Sequence, residues 1–220
     1  MNSKIGGVLL RVAAMAAILW GTWLMILLSL PYTSFDPYID FLNSKQLVYH
    51  IKTWRYSFYI HVFVSTIVLI TGLLQFSKYI MFRKAQLHRG SGIVYIVIVI
   101  FLSGPSGLIM GIYANGGLAA QVSFVLLSLL WILFTGFAFY YATKRKFAIH
   151  GHWMLRSFAL TLSAISLRFY AFLLATFHVH LHPRTAYILI AWLSWTLNLL
   201  LAEYLIRRKW IEKYYLGKLL

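Results

Sequence analysis

The sequence predicts an all-α integral membrane bundle of six transmembrane helices with both termini cytoplasmic. Three observations point that way. Hydrophobic residues make up 61% of the 220 positions, and the mean hydropathy is +0.78, which is more apolar surface than a soluble core encloses. The apolar residues fall into six runs near 8–30, 54–77, 92–113, 118–143, 153–176 and 185–206, each close to the ~20 residues that cross a ~30 Å hydrocarbon core. None of the runs alternates with period two, so spanning helices are favoured over barrel strands, which are about half as long.

The first run follows Lys4 in the manner of a signal peptide, but Ala13–Leu30 is longer than a secretory apolar region and reads as a retained anchor. Residues 31–53 then form an outer capping loop that carries Asp36 and Asp40, with Tyr32, Tyr38, Tyr49 and Trp54 at headgroup level as an aromatic belt. The second run holds His61 and ends at Gln75. The third contains Gly104-Pro105-Ser106-Gly107, a sequence that should kink or unwind the helix and that is tolerated at membrane depth beside buried protein or a wet cavity. Gly116-Gly117 predicts a tight outer turn into the fourth run. The fifth run holds Arg168, and the sixth ends with Glu203 near its inner end. The whole chain, residues 1–220, reads as a single transmembrane domain.

Fifteen of the 20 Lys and Arg residues lie at one side, in Lys4, Arg11, Lys78–Arg89, Lys144–Arg156 and Arg207–Lys218. The positive-inside rule makes that side cytoplasmic. The net charge of +16 is therefore explained by topology and anionic headgroups, and no nucleic-acid partner is expected; the partner is the lipid bilayer. Absence of cysteine excludes disulfides, thiolate catalysis and cysteine-ligated metals.

His61 and Arg168 stand out because ionisable groups inside apolar spans are costly and usually functional. Each lies at about the same height, roughly 6 Å outward of mid-span for His61 at 1.5 Å per residue. No acid stands at the level of Arg168, so a cofactor propionate, a ligand carboxylate or phosphate, a quinone carbonyl or helix-end carbonyls would answer it. Arg156 has a partner within reach in Glu203. Two inner loops each place a histidine about one turn before a helix, His88-Arg89 and His150-Gly151-His152. Imidazoles at matched depth on neighbouring helices suit one haem iron, or a metal site drawing on His88, His150 and His152. Arg89, Arg156 and Arg168 would counter propionates. Gln75, Tyr95, Ser157 and Thr161 are expected to line the pocket, with Ser163, Ser166 and Asn198 lining it or gluing helices. His178 lies roughly 15 Å beyond Arg168 by helical rise and cannot pair with His61 on one haem; His178, His180 and His182 make a weak surface metal signal.

Several of these residues form a wider pattern: Tyr59-Ile60-His61, Thr71-Gly72, Gln75-Phe76, His88-Arg89 with Gly92 and Tyr95, and Gly104-Pro105-Ser106-Gly107. It continues through Gly116-Gly117, Ala120-Gln121, Trp131, His150, Trp153-Met154-Leu155-Arg156-Ser157, Leu160-Thr161 and Leu167-Arg168. Over residues 59–168 the chain resembles an uncharacterised family of bacterial multi-pass predicted membrane proteins, of the domain-of-unknown-function type. The resemblance implies a helical domain in the bacterial cytoplasmic (inner) membrane, with His150 rather than His152 as the shared histidine. The family's usual Gly-Pro before Gln-Phe is here Leu73-Leu74, which predicts a straighter second helix.

Three functions are consistent with this inventory. The first is a membrane redox protein binding b-type haem or quinone, with His61, His88 and His150 as ligands or proton-exchanging groups. The second is a binding or transport protein for a small anionic or lipid-like ligand held by His61 and Arg168. The third is a non-catalytic subunit or assembly factor working with a membrane-protein partner or a second copy. An intramembrane hydrolase is disfavoured, since no acid, histidine and serine share one depth.

Overall fold

A computed structural model describes residues 2–213, with side chains described for 9 and 12–213. The side chains of Lys4 and Arg11, and Lys218 altogether, lie outside the described residues. Among the described residues the chain is helical and contains no strand, and six helices are long and apolar enough to cross a membrane. They are α1 (Asn2–Ser29), α2 (Lys52–Gln75), α3 (Ala85–Ile112), α4 (Leu118–Thr143), α5 (Phe147–Thr176) and α6 (Pro183–Arg207).

Helices α3 and α5 begin earlier than their apolar runs. α3 starts at Ala85 and α5 at Phe147, so His88, His150 and His152 sit in first turns of helix rather than in loops before them. The reason is local: neither Ala85-Gln86-Leu87 nor Phe147-Ala148-Ile149 contains a helix breaker, so hydrogen bonding propagates back toward the basic loops. α2 is unbroken through Leu73-Leu74, as expected once the family's Gly-Pro is missing. In α3, residues Ile98–Ser103 widen into a π-helical stretch just before Pro105. Proline supplies no N–H to the ladder, and π-bulges accommodate such a fault. Gly116 and Gly117 adopt φ of +88° and +77°, the left-handed region open to glycine, and they turn the chain tightly from α3 into α4.

Helices α2 to α6 pack around a core of Val68, Tyr95, Val99, Trp131, Phe158 and Trp195. Gly72 lets α2 approach α5 so closely that a Cβ there would lie 2.6 Å from the Phe158 ring. α1 is peripheral: 17% of its span is buried, against 28–33% for the others. It leans on α2 and on the later half of α5, leaving a space between them.

Short helical turns at Leu30–Ser34, Asp40–Lys45 and Gln46–Tyr49 fold over one end of the bundle, here termed the cap end; the Lys/Arg-rich opposite end is the basic end. The cap has its own core. Leu42, Trp54 and Phe58 are buried, Trp54 stacks on Phe58 at 5.6 Å, and Tyr32 meets Phe58 edge-on at 5.1 Å. Trp54 and Tyr32 are thus packing residues, whereas Tyr38 is exposed. Aromatic packing outcompetes the interfacial position for the former pair because both face the cap interior.

Candidate functional site

Below the cap, between the cap-end halves of the helices, lies a cavity of about 440 Å³, within the range of small-ligand sites. Its walls are mostly apolar, with Met25, Phe58, Leu69, Met110, Leu127 and Leu160 among them. Among the described residues the basic groups that line it are His61, Arg168 and Lys45, and no carboxylate does so.

His61 is fixed by the irregular part of α3. Its Nδ1 lies 3.0 Å from the Ser103 carbonyl oxygen and 3.3 Å from Ser106 Oγ, and Ser106 itself donates to the same carbonyl at 3.1 Å. A carbonyl oxygen only accepts, so Nδ1 carries a proton, and the neutral ring presents the lone pair of Nε2. Nε2 has no partner among the described residues. Gly107 makes the space: a Cβ there would lie 3.0 Å from His61 Cε1 and 3.1 Å from Ser128 Oγ.

Arg168 donates from Nη1 to the Ala164 carbonyl, one turn back on its own helix, at 3.1 Å. Its other N–H groups have no partner among the described residues, and the side chain is exposed. By rise per residue it lies about 12 Å below the cap end of α5, and His61 about 13 Å below the cap end of α2; both line the cavity.

Lys45 was not foreseen. It closes the cavity from the cap and is 3% exposed. Its ammonium donates to the Tyr113 carbonyl at 2.6 Å and to Asn115 Oδ1 at 2.7 Å, beyond the end of α3, and lies 5.4 Å from the Phe41 ring centroid. Two of its three donors are engaged. Burial without an acidic partner pushes the ammonium down from 10.5 to about 8. Below that value both folded and unfolded chains hold the proton; between about 8 and 10.5 the unfolded chain still holds it and the folded chain does not. Stability contributed by this group therefore rises with pH across that window. Unfolding midpoints in detergent from about pH 7 to about pH 10 should show this rise in wild type and not in Lys45→Met.

The cavity floor is a buried hydroxyl network. Tyr95 Oη lies 2.8 Å from Ser157 Oγ and 2.7 Å from Thr161 Oγ1. Trp131 Nε1 donates to Thr161 Oγ1 at 3.0 Å, and Thr135 Oγ1 pairs with Ser157 Oγ at 2.7 Å. Trp131 and Thr161 reach the cavity, while Tyr95 and Ser157 stand behind them as support rather than as lining. Tyr95→Phe would leave buried hydroxyls short of a partner and should cost ~1–3 kcal/mol, read as a lowered unfolding midpoint.

Other sequence candidates are engaged elsewhere. Gln75 does not line the cavity; it donates to the His88 carbonyl at 3.1 Å and to Ser91 Oγ at 2.8 Å, tying α2 to α3 near the basic end. Arg156 forms a two-pronged pair with Glu203, at 2.5 and 2.9 Å, and lies over Trp153, so it is neutralised within the protein. His152 faces Glu212 at 3.0 Å rather than a shared site with His88 and His150. His88 and His150 are close enough to interact electrostatically, with Arg89 also acting on His88. His150 Nδ1 contacts the Ala138 carbonyl at 2.8 Å, and His88 Nδ1 is buried without a partner. Ser166 and Asn198 bond each other at 3.0–3.1 Å, the gluing role. His182 accepts from Arg184 N and caps α6. Among the described residues no three His, Asp or Glu side chains gather as a metal site.

A family model described as predicted membrane protein (DUF2306) matches residues 58–206, from within α2 to the last turn of α6. No curated protein and no solved structure matches the chain.

Proposed function

We propose, for a chain that belongs to the DUF2306 family of predicted membrane proteins, that it binds a small amphipathic anion or lipid-like acid in the cap-end cavity, as a membrane-embedded binding or transport protein. The observation that carries this reading is a largely apolar cavity lined by Arg168, Lys45 and His61 with no carboxylate among them. Such a wall holds an apolar body and favours negative charge at one end. The π-helical stretch and Pro105 in α3, which position the Ser103 carbonyl under His61, give a hinge at the same place. The charge bias supports cytoplasmic termini in a bacterial inner membrane, with the cavity in the outer leaflet half.

The test is thermal unfolding of the purified protein with a panel of medium-chain carboxylates, phosphate esters and matched alcohols. Acids should raise the midpoint and alcohols should not. Equal effects from both, or none, would overturn the reading.

A redox function is the second reading. Quinone fits the unpartnered His61 Nε2 and the Arg168 guanidinium in one cavity, and b-type haem is favoured by the neighbouring His88 and His150, with Nδ1 of His88 unpartnered. An oxidised and dithionite-reduced visible spectrum of protein made with ample haem separates these: a sharp reduced α-band supports haem. Co-purification of a second polypeptide, with neither colour nor an acid effect, would favour the subunit or assembly role.

A further inference from the structure

We infer that the cavity takes its anion together with a proton, which His61 Nε2 receives: the ligand is a weak carboxylic acid with an apolar body, bound as the carboxylate against Arg168 with an imidazolium beside it. This rests on the binding function proposed above and specifies the ligand class and the chemistry of its entry.

His61 Nδ1–H is turned to the Ser103 carbonyl, so the only site at which this ring gains a proton is Nε2, which has no partner and belongs to a cavity-lining side chain. Four of the lining hydroxyls are already turned to acceptors: Ser29 to the Met25 carbonyl, Thr66 to the Phe63 carbonyl, Ser65 to Ser103 Oγ and Thr161 to the Ser157 carbonyl. The unengaged cationic donors are those of Arg168 and the third N–H of Lys45, and beside them stand the neutral donors of Ser128, Ser163 and the buried Trp54 indole.

The other charged and titratable groups that line the cavity with His61 are Arg168 from α5, Lys45 and Tyr32 from the cap side, and Tyr187 from α6; among the described residues α3 and α4 contribute none. With Arg168 charged, Lys45 mostly so at neutral pH and no acid lining the cavity among the described residues, a third positive charge on the imidazole is disfavoured until an anion binds. A carboxylate arriving in the planar fork of Arg168 removes that penalty and offers Nε2–H an acceptor. Anion binding and proton binding therefore favour each other, and by linkage each tightens the other equally. When the acid enters neutral, its O–H bond breaks and an Nε2–H bond forms; when it enters as the anion, the proton comes from water. A single headgroup served by one guanidinium and one imidazolium, in mostly apolar walls, matches a carboxylate on an acyl or aryl body.

Calorimetric titration of the reconstituted full chain at about pH 7, in phosphate and in Tris buffer, measures protons taken up per ligand. Octanoate is one probe. Octanesulfonate is the other, because its headgroup stays ionised and any proton must go to the protein. Lys45, held at about 8, is roughly nine-tenths protonated at pH 7 and supplies about a tenth of a proton. The expected result is close to one proton per bound octanesulfonate in wild type, falling to near zero in His61→Asn, whose amide keeps a donor for the Ser103 carbonyl. Binding without uptake, or uptake preserved in folded His61→Asn, would overturn the inference and leave anion binding standing. No binding of either probe would overturn both. Should His61→Asn not fold, the wild-type uptake with octanesulfonate decides by itself.

Discussion

Arg168→Gln is expected to abolish most of the stabilisation that an acidic ligand gives, while the unliganded protein unfolds where wild type does. Loss of charge-assisted hydrogen bonds costs ~1.5–3 kcal/mol, so affinity should fall about 10- to 150-fold. The fold should tolerate the change because the hydrogen bond that Arg168 makes is to a carbonyl of its own helix. Arg168→Lys should fall between the two, keeping the charge but losing the fork that meets both oxygens of a carboxylate. Titration of octanoate against unfolding midpoint, for the three proteins side by side, reads the order directly. An Arg168→Gln variant as responsive as wild type would remove Arg168 from the site.

Gly104→Ala is expected to be the most damaging small substitution in the membrane. A Cβ at Gly104 would collide with the Val99 carbonyl oxygen and lie 2.5 Å from Ile132 Cγ1 on α4. Neither obstacle is the end of a flexible chain on an open surface, so α3 must shift away from α4. Overpacking of this kind costs ~1–3 kcal/mol, occasionally more. The shift also moves Ser103, the preceding residue, whose carbonyl holds His61 Nδ1, so acid binding should weaken as well. Helix propensity alone predicts the opposite sign, since alanine is favoured over glycine by ~1 kcal/mol in a helix interior. Gly136 supplies the control. Nothing lies within 4 Å of a Cβ built there, and Gly136→Ala should be neutral or mildly stabilising. Unfolding midpoints of the two variants, measured together, separate packing from propensity.

The fold was legible because lipid imposes one rule on every span. Six apolar runs of spanning length and the glycine pair at 116–117 each carried their meaning locally. Helical rise converts sequence position into depth, which singled out His61 and Arg168 together, and both line the cavity. The basic-end candidates were harder. Arg156 read both as a cation for a cofactor and as a partner of Glu203, and it pairs with Glu203, while His152 belongs to Glu212; choosing between an internal partner and a ligand depends on helix rotation, which a span's length does not specify. Tyr95 and Ser157 carried a true polar signal, yet they brace the floor from behind because the hydroxyls of Thr161 and the indole of Trp131 stand between them and the cavity. Lys45 escaped for a different reason. It lies in a polar-looking connection, and only the folding of Leu30–Tyr49 over the helix ends makes it a buried cation; the signal available was a single lysine among Phe41, Leu42 and Tyr49, flanking the aromatic start of α2.

Equilibrium binding of radiolabelled octanoate to the protein in lipid nanodiscs, with Arg168→Gln nanodiscs and empty nanodiscs as comparisons, tests the central claim most directly. The account predicts a saturable component of one site per chain, competed by octanesulfonate and not by octanol, and weakened at least about tenfold in Arg168→Gln. Uptake that is no greater than in empty nanodiscs, or a saturable component indifferent to Arg168, would contradict it.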